Sequence, residues 1–131
     1  MIQYTIAKRK MINDPSVEKY YPKIVRGNTL DTEKIALLLQ ERTTLEPGEI
    51  YGFLTALSKA IRNYVTDSYV VDIEGLGIFS PTISARAVNT PDELDATTIR
   101  KKGVNYRPTS RMKSKLEQIK FSKANLDTAH L

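Results

Sequence analysis

Basic side chains are concentrated near the C-terminal end of this 131-residue chain. Residues 100–123 carry nine basic groups and one acidic group, for a net charge of +8. Residues 27–99 carry five basic and eleven acidic groups, and residues 1–26 carry six and two. Cationic groups at this density bind polyanions, phosphate backbones above all. The alternative is a lysine-rich helix whose charges serve solubility alone.

Groups that perform acid–base or nucleophilic catalysis are scarce. The chain has no cysteine, which excludes disulfides, thiolate catalysis and Cys-ligated zinc. Its one histidine is His130, so a His-based triad or metal site is not expected. Asp72 and Glu74 are two residues apart on a predicted strand, where they are more simply solvent-facing side chains. The sequence therefore predicts a protein that is not an enzyme and binds no cofactor, metal or small-molecule substrate.

The length favours one domain with an extension, and the 40% apolar content is enough for a core. A chain this short gains stability from dimerisation. We expect no membrane span, because no run of about 18 apolar residues occurs. The first ten residues lack the apolar segment of a secretory signal. These features predict a cytoplasmic location.

Residues 1–29 are predicted to form an N-terminal extension of short strands packed on the domain. Residues 2–6 alternate between apolar and polar side chains, which is typical of a strand. A turn follows at residues 13–16, and residues 20–25 fit a second strand that Pro22 restricts to an edge. Lys8, Arg9 and Lys10 either add a phosphate contact or lie in a solvated loop.

Two helices are predicted next. Asp31 is a suitable N-cap for the first, and Pro47 suits the first position of the second. The second helix has a wide apolar stripe made of Ile50, Phe53, Leu54, Leu57, Ile61, Tyr64 and Val65. Such a stripe can pack against a sheet on one side and against a partner subunit on the other. A monomeric core is the alternative.

The rest of the chain reads as strands, an irregular segment and a final helix. Residues 69–74 and 78–86 are predicted strands, joined by a turn at Gly75 and Gly77, with Pro81 confined to an edge or bulge. Residues 87–103 lack periodicity. Residues 104–106 form a strand, and Thr109 or Ser110 caps a basic helix that continues to about residue 122. Residues 124–131 are predicted to be a flexible tail.

Two motifs in this succession of helices and strands resemble those of a known protein family. Gly75-Leu76-Gly77-Ile78-Phe79 and, later, Tyr106-Arg107-Pro108 resemble the Gly-Phe-Gly-Thr-Phe-like turn and the Phe-Lys-Pro-like element of the HU/IHF family of bacterial DNA-binding proteins. The resemblance covers residues 30 to about 123. The N-terminal segment is similar to the extension of HU-like proteins from Bacteroides and relatives.

This resemblance implies an α+β fold with a helical hairpin, a three-stranded antiparallel sheet, a protruding β-arm and a C-terminal helix, in an intertwined dimer. It also implies architectural, largely sequence-nonspecific binding and bending of double-stranded DNA by a homodimer in the nucleoid. Minor-groove arms and basic phosphate contacts would carry the binding. The alternative is a structural or protein-interaction module on an HU-like scaffold, with weak or no DNA binding.

The family's DNA-contacting positions fall on a defined set of residues in this chain. Pro91 lies where the family places an arm-tip proline that wedges between base pairs. It is followed by Asp92, Glu93 and Asp95, which repel phosphates, so a plain turn proline is the alternative. The predicted DNA-binding residues are Arg86, Pro91, Arg100, Lys101, Lys102, Arg107, Pro108, Arg111, Lys113 and Lys115.

Overall fold

The structure, a computed structural model, describes residues 1–124. Its elements are β1 (Ile2–Lys10), β2 (Glu18–Ile24), α1 (Thr32–Gln40), α2 (Pro47–Val65), β3 (Val71–Ile73), β4 (Gly77–Ala85), β5 (Ile99–Arg107), α3 (Ser110–Glu117) and β6 (Phe121–Lys123). The chain divides into two compact units. Leu30–Ser114 forms one, and Met1–Thr29 with the described residues from Lys115 forms the other.

The unit Leu30–Ser114 contains a helical hairpin and an antiparallel sheet of order β3-β4-β5. The α1 helix begins where predicted, because the Asp31 carboxylate accepts a hydrogen bond from the Lys34 amide at 2.9 Å. Pro47 occupies the first turn of α2. The predicted α+β fold with its hairpin and three-stranded sheet is therefore confirmed.

The turn between β3 and β4 depends on its two glycines. Gly75 has a φ of +80°, a left-handed conformation that side chains with a Cβ disfavour. Gly77 is buried, and a Cβ there would overlap the ring of Tyr106. That ring packs against Phe79 at a centroid distance of 5.5 Å, and its hydroxyl donates a hydrogen bond to the Leu76 carbonyl at 2.9 Å. The turn and the returning strand β5 are thereby joined.

The other unit has a sheet of order β2-β1-β6. The two predicted N-terminal strands are present, and they pair antiparallel from Tyr4 with Ile24 to Lys10 with Glu18. The predicted packing of residues 1–29 on the rest of the domain stays a prediction.

The C-terminal helix is shorter than predicted. The structure ends α3 at Glu117, and Phe121–Lys123 forms β6, which pairs parallel with β1. The extended conformation gains backbone hydrogen bonds from the Ile2 amide to the Lys120 carbonyl and from the Ala124 amide to the Tyr4 carbonyl. These long-range partners outweigh the local helical preference of this segment. The predicted tail at 124–131, with His130, falls outside the described residues except for Ala124.

The segment before Val104 was also predicted wrongly. Residues 99–103 belong to β5, which the sequence pattern placed in an irregular region. Pro81 is tolerated in β4 because β3 pairs only with Gly77–Phe79, so β4 has an open edge beyond Phe79.

Within residues 1–124, none of the helices has both the length and the apolarity that crossing a membrane requires.

Candidate nucleic-acid interface

A two-stranded arm projects from the sheet where β4 and β5 continue beyond the end of β3. Their register runs from Ile78 opposite Arg107 to Ala85 opposite Ile99. Residues 81–85 of β4 and 100–107 of β5 are exposed, whereas residues 78–80 and Ile99 are half-buried. The antiparallel pairing thus keeps the basic run of β5 extended and accessible.

A β-bulge distributes the basic run around the arm. Lys101 lies opposite Ser84, and Ile99 lies opposite Ala85, so Arg100 is the extra residue without a partner on β4. A bulge redirects the side chain of its extra residue and increases the local twist. Because side chains alternate along a strand, Lys101 and Lys102 lie on opposite faces of the arm. The basic run therefore presents cations on both faces of the arm.

One face of the sheet is polar and has cations at both ends. Phe79 lies with Leu54, Leu57 and Ile61 around an apolar groove, which identifies the face covered by α2. The opposite face carries Ser80, Thr82 and Ser84 of β4 and Lys101, Asn105 and Arg107 of β5. Lys101 and Arg107 are six residues apart on β5, or about 20 Å along the strand. Hydroxyl, amide and cationic groups of this kind are the usual partners of phosphate oxygens.

The small polar residues of this face were not among the predicted site residues. Their signal was present in the sequence, because Ser80, Thr82 and Ser84 alternate with Pro81 and Ile83. Only the register with β5 places them beside Lys101 and Arg107.

The arm tip is acidic and contains several local hydrogen bonds. Pro91 opens a 3-10 turn that contains Asp92 and Glu93, and all three side chains are exposed. The Thr97 hydroxyl and amide donate hydrogen bonds to the Asp95 carboxylate, and they lower its pKa below the ordinary value. The hydrogen bonds from Thr97 thus favour the charged form of Asp95. Arg86 follows the last residue of β4 at the other end of this loop.

The remaining predicted residues cluster at the start of α3. Pro108 separates β5 from the helix, and Arg111, Lys113 and Lys115 are exposed on it. The Arg111 guanidinium lies 3.8 Å from the Glu74 carboxylate, with both side chains exposed. An ion pair in this setting is weak, so Arg111 can exchange Glu74 for another anion.

The predicted residues therefore form two groups. Arg86, Pro91 and residues 100–102 lie on the arm or at its tip, and the others run from Arg107 at the end of β5 to Lys115 in α3. In the part of the chain that the structure describes, no cluster of three histidine or acidic side chains could hold a metal ion.

A family model decides the assignment. Residues 1–123 match the HU-HIG model, described as an HU domain fused to a wHTH, Ig or glycine-rich motif. The chain belongs to the HU-HIG family. This is an HU-like DNA-binding family, as the turn and the Tyr-Arg-Pro element indicated. The match includes residues 1–29, so the N-terminal strands of this HU-HIG chain are part of the family pattern.

Solved structures share the fold of the HU-HIG chain. A Bacteroides vulgatus ATCC 8482 protein, provisionally assigned as a bacterial DNA-binding protein, aligns with a TM-score of 0.66 at 10% identity. The alignment covers 93% of this chain and 47% of that one, so the HU-HIG chain spans about half the length of that structure. An Anabaena HU–DNA cocrystal structure aligns with a TM-score of 0.53 at 16% identity, over 68% of this chain and 99% of that one. No curated protein matches significantly.

Proposed function

We propose that this HU-HIG chain is an architectural protein that binds and bends double-stranded DNA with little sequence preference. The observation that carries the proposal is the exposed β4–β5 arm, with Arg100, Lys101 and Lys102 around it and Arg107 at its base. Cations on an extended arm suit phosphates and the minor groove, where the base code is degenerate. The DNA bound by the HU in the Anabaena cocrystal and the family assignment support the same reading.

The individual contacts are part of this proposal. Lys101 and Arg107 contact phosphates from the polar face, and Arg86 and Arg100 act near the end of the arm. The residues after β5, which are Pro108, Arg111, Lys113 and Lys115, position the DNA backbone further along. Contacts of this kind fix the register of the protein on the duplex without reading its sequence.

We also propose that the DNA-binding form is an intertwined homodimer. The unit Leu30–Ser114 leaves large apolar side chains uncovered, including Phe53 at 66%, Leu37 at 56% and Tyr64 at 56% exposure. Ala36, Ile50 and Val65 are the buried apolar side chains among the described residues. An open apolar groove of about 460 Å³ lies between α2 and the sheet. A second copy that covers these surfaces would complete the core.

The first test measures DNA binding and oligomeric state together. A fluorescent duplex of about 35 base pairs is titrated at two salt concentrations, and sedimentation equilibrium gives the mass of the free protein. We expect twice the 14.8 kDa chain mass and an affinity that falls steeply with salt. A dimer without duplex affinity at low salt would instead favour a protein-interaction module. In that case the acidic arm tip and the N-terminal strands would be the first surfaces to search for protein partners.

Pro91 is proposed as the apolar contact at the arm tip. We expect Pro91→Ala to reduce the bend of an end-labelled duplex, measured by energy transfer, more than it reduces affinity, because unstacking a base step needs an apolar wedge. Pro81→Ala is the control for loss of a proline elsewhere on the arm. If the bend is unchanged, Pro91 serves the 3-10 turn alone.

A further inference from the structure

The two compact units differ sharply in charge. Leu30–Ser114 contains eleven basic and eleven acidic residues, so its net charge is zero. The rest of the chain contains nine basic and four acidic residues and carries the whole net charge of +5. The net positive charge that attracts a polyanion over long range therefore belongs to the unit that contains the β2-β1-β6 sheet.

Strand alternation sorts the side chains of this sheet by chemistry. Register partners place Tyr4 with Ile24 and Ile6 with Pro22 on one face. Lys8 and Lys10 share that face, because they are an even number of residues from Ile6. The opposite face carries Arg9, Lys19 and Lys23, with Tyr21 between the two lysines. The run Lys8-Arg9-Lys10 is thus divided between faces, and Arg9 joins two cations that are distant in sequence.

Arg9 and Lys19 are directly opposite each other across β1 and β2. Like charges in this position destabilise a strand pair. Within residues 1–124, none of the cations of this face lies within ion-pair distance of a carboxylate, and all three are exposed. The β1–β2 hairpin contains two carboxylates, and neither lies on this face. Glu18 lies on the face of Tyr4 and Ile6, and Asp14 lies in the connecting turn. Among the described residues no ion pair compensates this repulsion, which indicates an external anion.

The other residues of this face suit a flat, backbone-contacting surface. Gln3, Thr5, Ala7 and Ser122 are small or polar and leave the cations free to approach a broad ligand. Lys19 and Lys23 flank Tyr21 at about 7 Å on either side along the strand. Tyr21 is 44% exposed, and tyrosine hydroxyls are common donors to phosphate oxygens in protein–DNA complexes.

We infer that Arg9, Lys19, Tyr21 and Lys23 form a second DNA-backbone contact surface, separate from the β4–β5 arm. Its ligand is the phosphate backbone of double-stranded DNA, because the surface offers cations and hydroxyls but only one aromatic ring for stacking on bases. The inference rests on the proposed DNA binding and adds a contact surface to it. We call these four residues the extension surface.

The test compares four full-length proteins in the same duplex titration from about 50 to 200 mM salt. The extension variant combines Arg9→Gln, Lys19→Gln and Lys23→Gln. The arm variant combines Arg100→Gln, Lys101→Gln and Lys102→Gln. The control variant combines Lys34→Gln, Arg42→Gln and Lys59→Gln, which removes the same charge from exposed positions on and beside α1 and α2. The wild type is the fourth protein.

The readout is the slope of log affinity against log salt. Each lost phosphate contact reduces its magnitude by about 0.9, so we expect the extension variant to lose up to about 2.7 per protomer, or about 5.4 for a dimer, and the control variant to match the wild type. The thermal midpoint of the extension variant should equal or exceed that of the wild type, because the Arg9–Lys19 repulsion is removed. That measurement separates lost contacts from lost folding.

The outcomes separate this inference from the proposed function. If the arm variant loses slope and the extension variant matches the control, the extension surface does not contact DNA and the proposed function stands. If the extension variant alone loses slope, the second surface stands and the role of the arm is wrong. A wild type without salt-dependent duplex affinity would overturn both.

Discussion

Reversing Arg100, Lys101 and Lys102 to glutamate is expected to weaken duplex binding at least about a hundredfold at moderate salt. The three side chains are exposed, and strand alternation puts Lys101 and Lys102 on opposite faces of the arm. Any approach of DNA to the arm therefore meets at least one of them. Reversal removes favourable phosphate contacts and adds repulsion, beside a tip that already carries Asp92, Glu93 and Asp95.

The control for this reversal is Lys34→Glu, Arg42→Glu and Lys59→Glu. It changes the net charge equally but leaves the arm intact, so it isolates local contacts from the overall field. Binding is measured by anisotropy of a labelled duplex, with circular dichroism to verify folding. Equal losses in both triple variants would mean that only net charge matters. Unchanged weak binding in the arm variant would instead support a protein-interaction module.

Gly77→Ala is expected to lower the free energy of unfolding by about 3 kcal/mol. Gly77 is buried, and its new methyl group would occupy the space of the Tyr106 ring. Moving that ring disturbs its packing on Phe79 and its hydrogen bond to the Leu76 carbonyl. Urea denaturation at a fixed protein concentration measures the loss, since the stability of the proposed dimer would depend on concentration.

A double-mutant cycle identifies the cause of this loss. In a Tyr106→Ala background the methyl group has room, so adding Gly77→Ala should cost only the strain of its φ of +158°, about 1 kcal/mol. Gly75→Ala is the matched control, because its φ of +80° is strained but no atom lies within 4 Å of the new Cβ. We expect it to cost about 1 kcal/mol. Additive losses at Gly77 and Tyr106 would contradict the steric explanation.

The sequence predicted features that depend on short-range chemistry. Asp31 caps α1 because its carboxylate accepts a hydrogen bond from the backbone amide three residues later, and this interaction does not depend on the rest of the fold. Pro47 begins α2 for an equally local reason. The Gly75–Phe79 turn was recognisable because its residue types and its distance from Tyr106-Arg107-Pro108 are characteristic of HU-like chains.

The errors arose where pairing partners are far apart in sequence. Arg100 interrupts the alternation of β5, and this hid the strand from a period-two pattern. Phe121–Lys123 is too short to be recognised as a strand, and its extended form depends on β1 at the opposite end of the chain. For the same reason Arg9, Lys19 and Lys23 could be assembled into one surface only from the β1–β2 register.

The parallel pairing of β1 with β6 has a consequence for biosynthesis. β2 follows β1 closely and can pair with it early, but the other side of β1 waits for residues 121–123. At 5–20 residues per second, ribosomal synthesis of the intervening chain takes roughly 6 to 24 seconds. During that time β1 presents an open strand edge, which can accept a strand from another nascent chain. The order of translation therefore leaves one edge of β1 open to mispairing until its own partner is made.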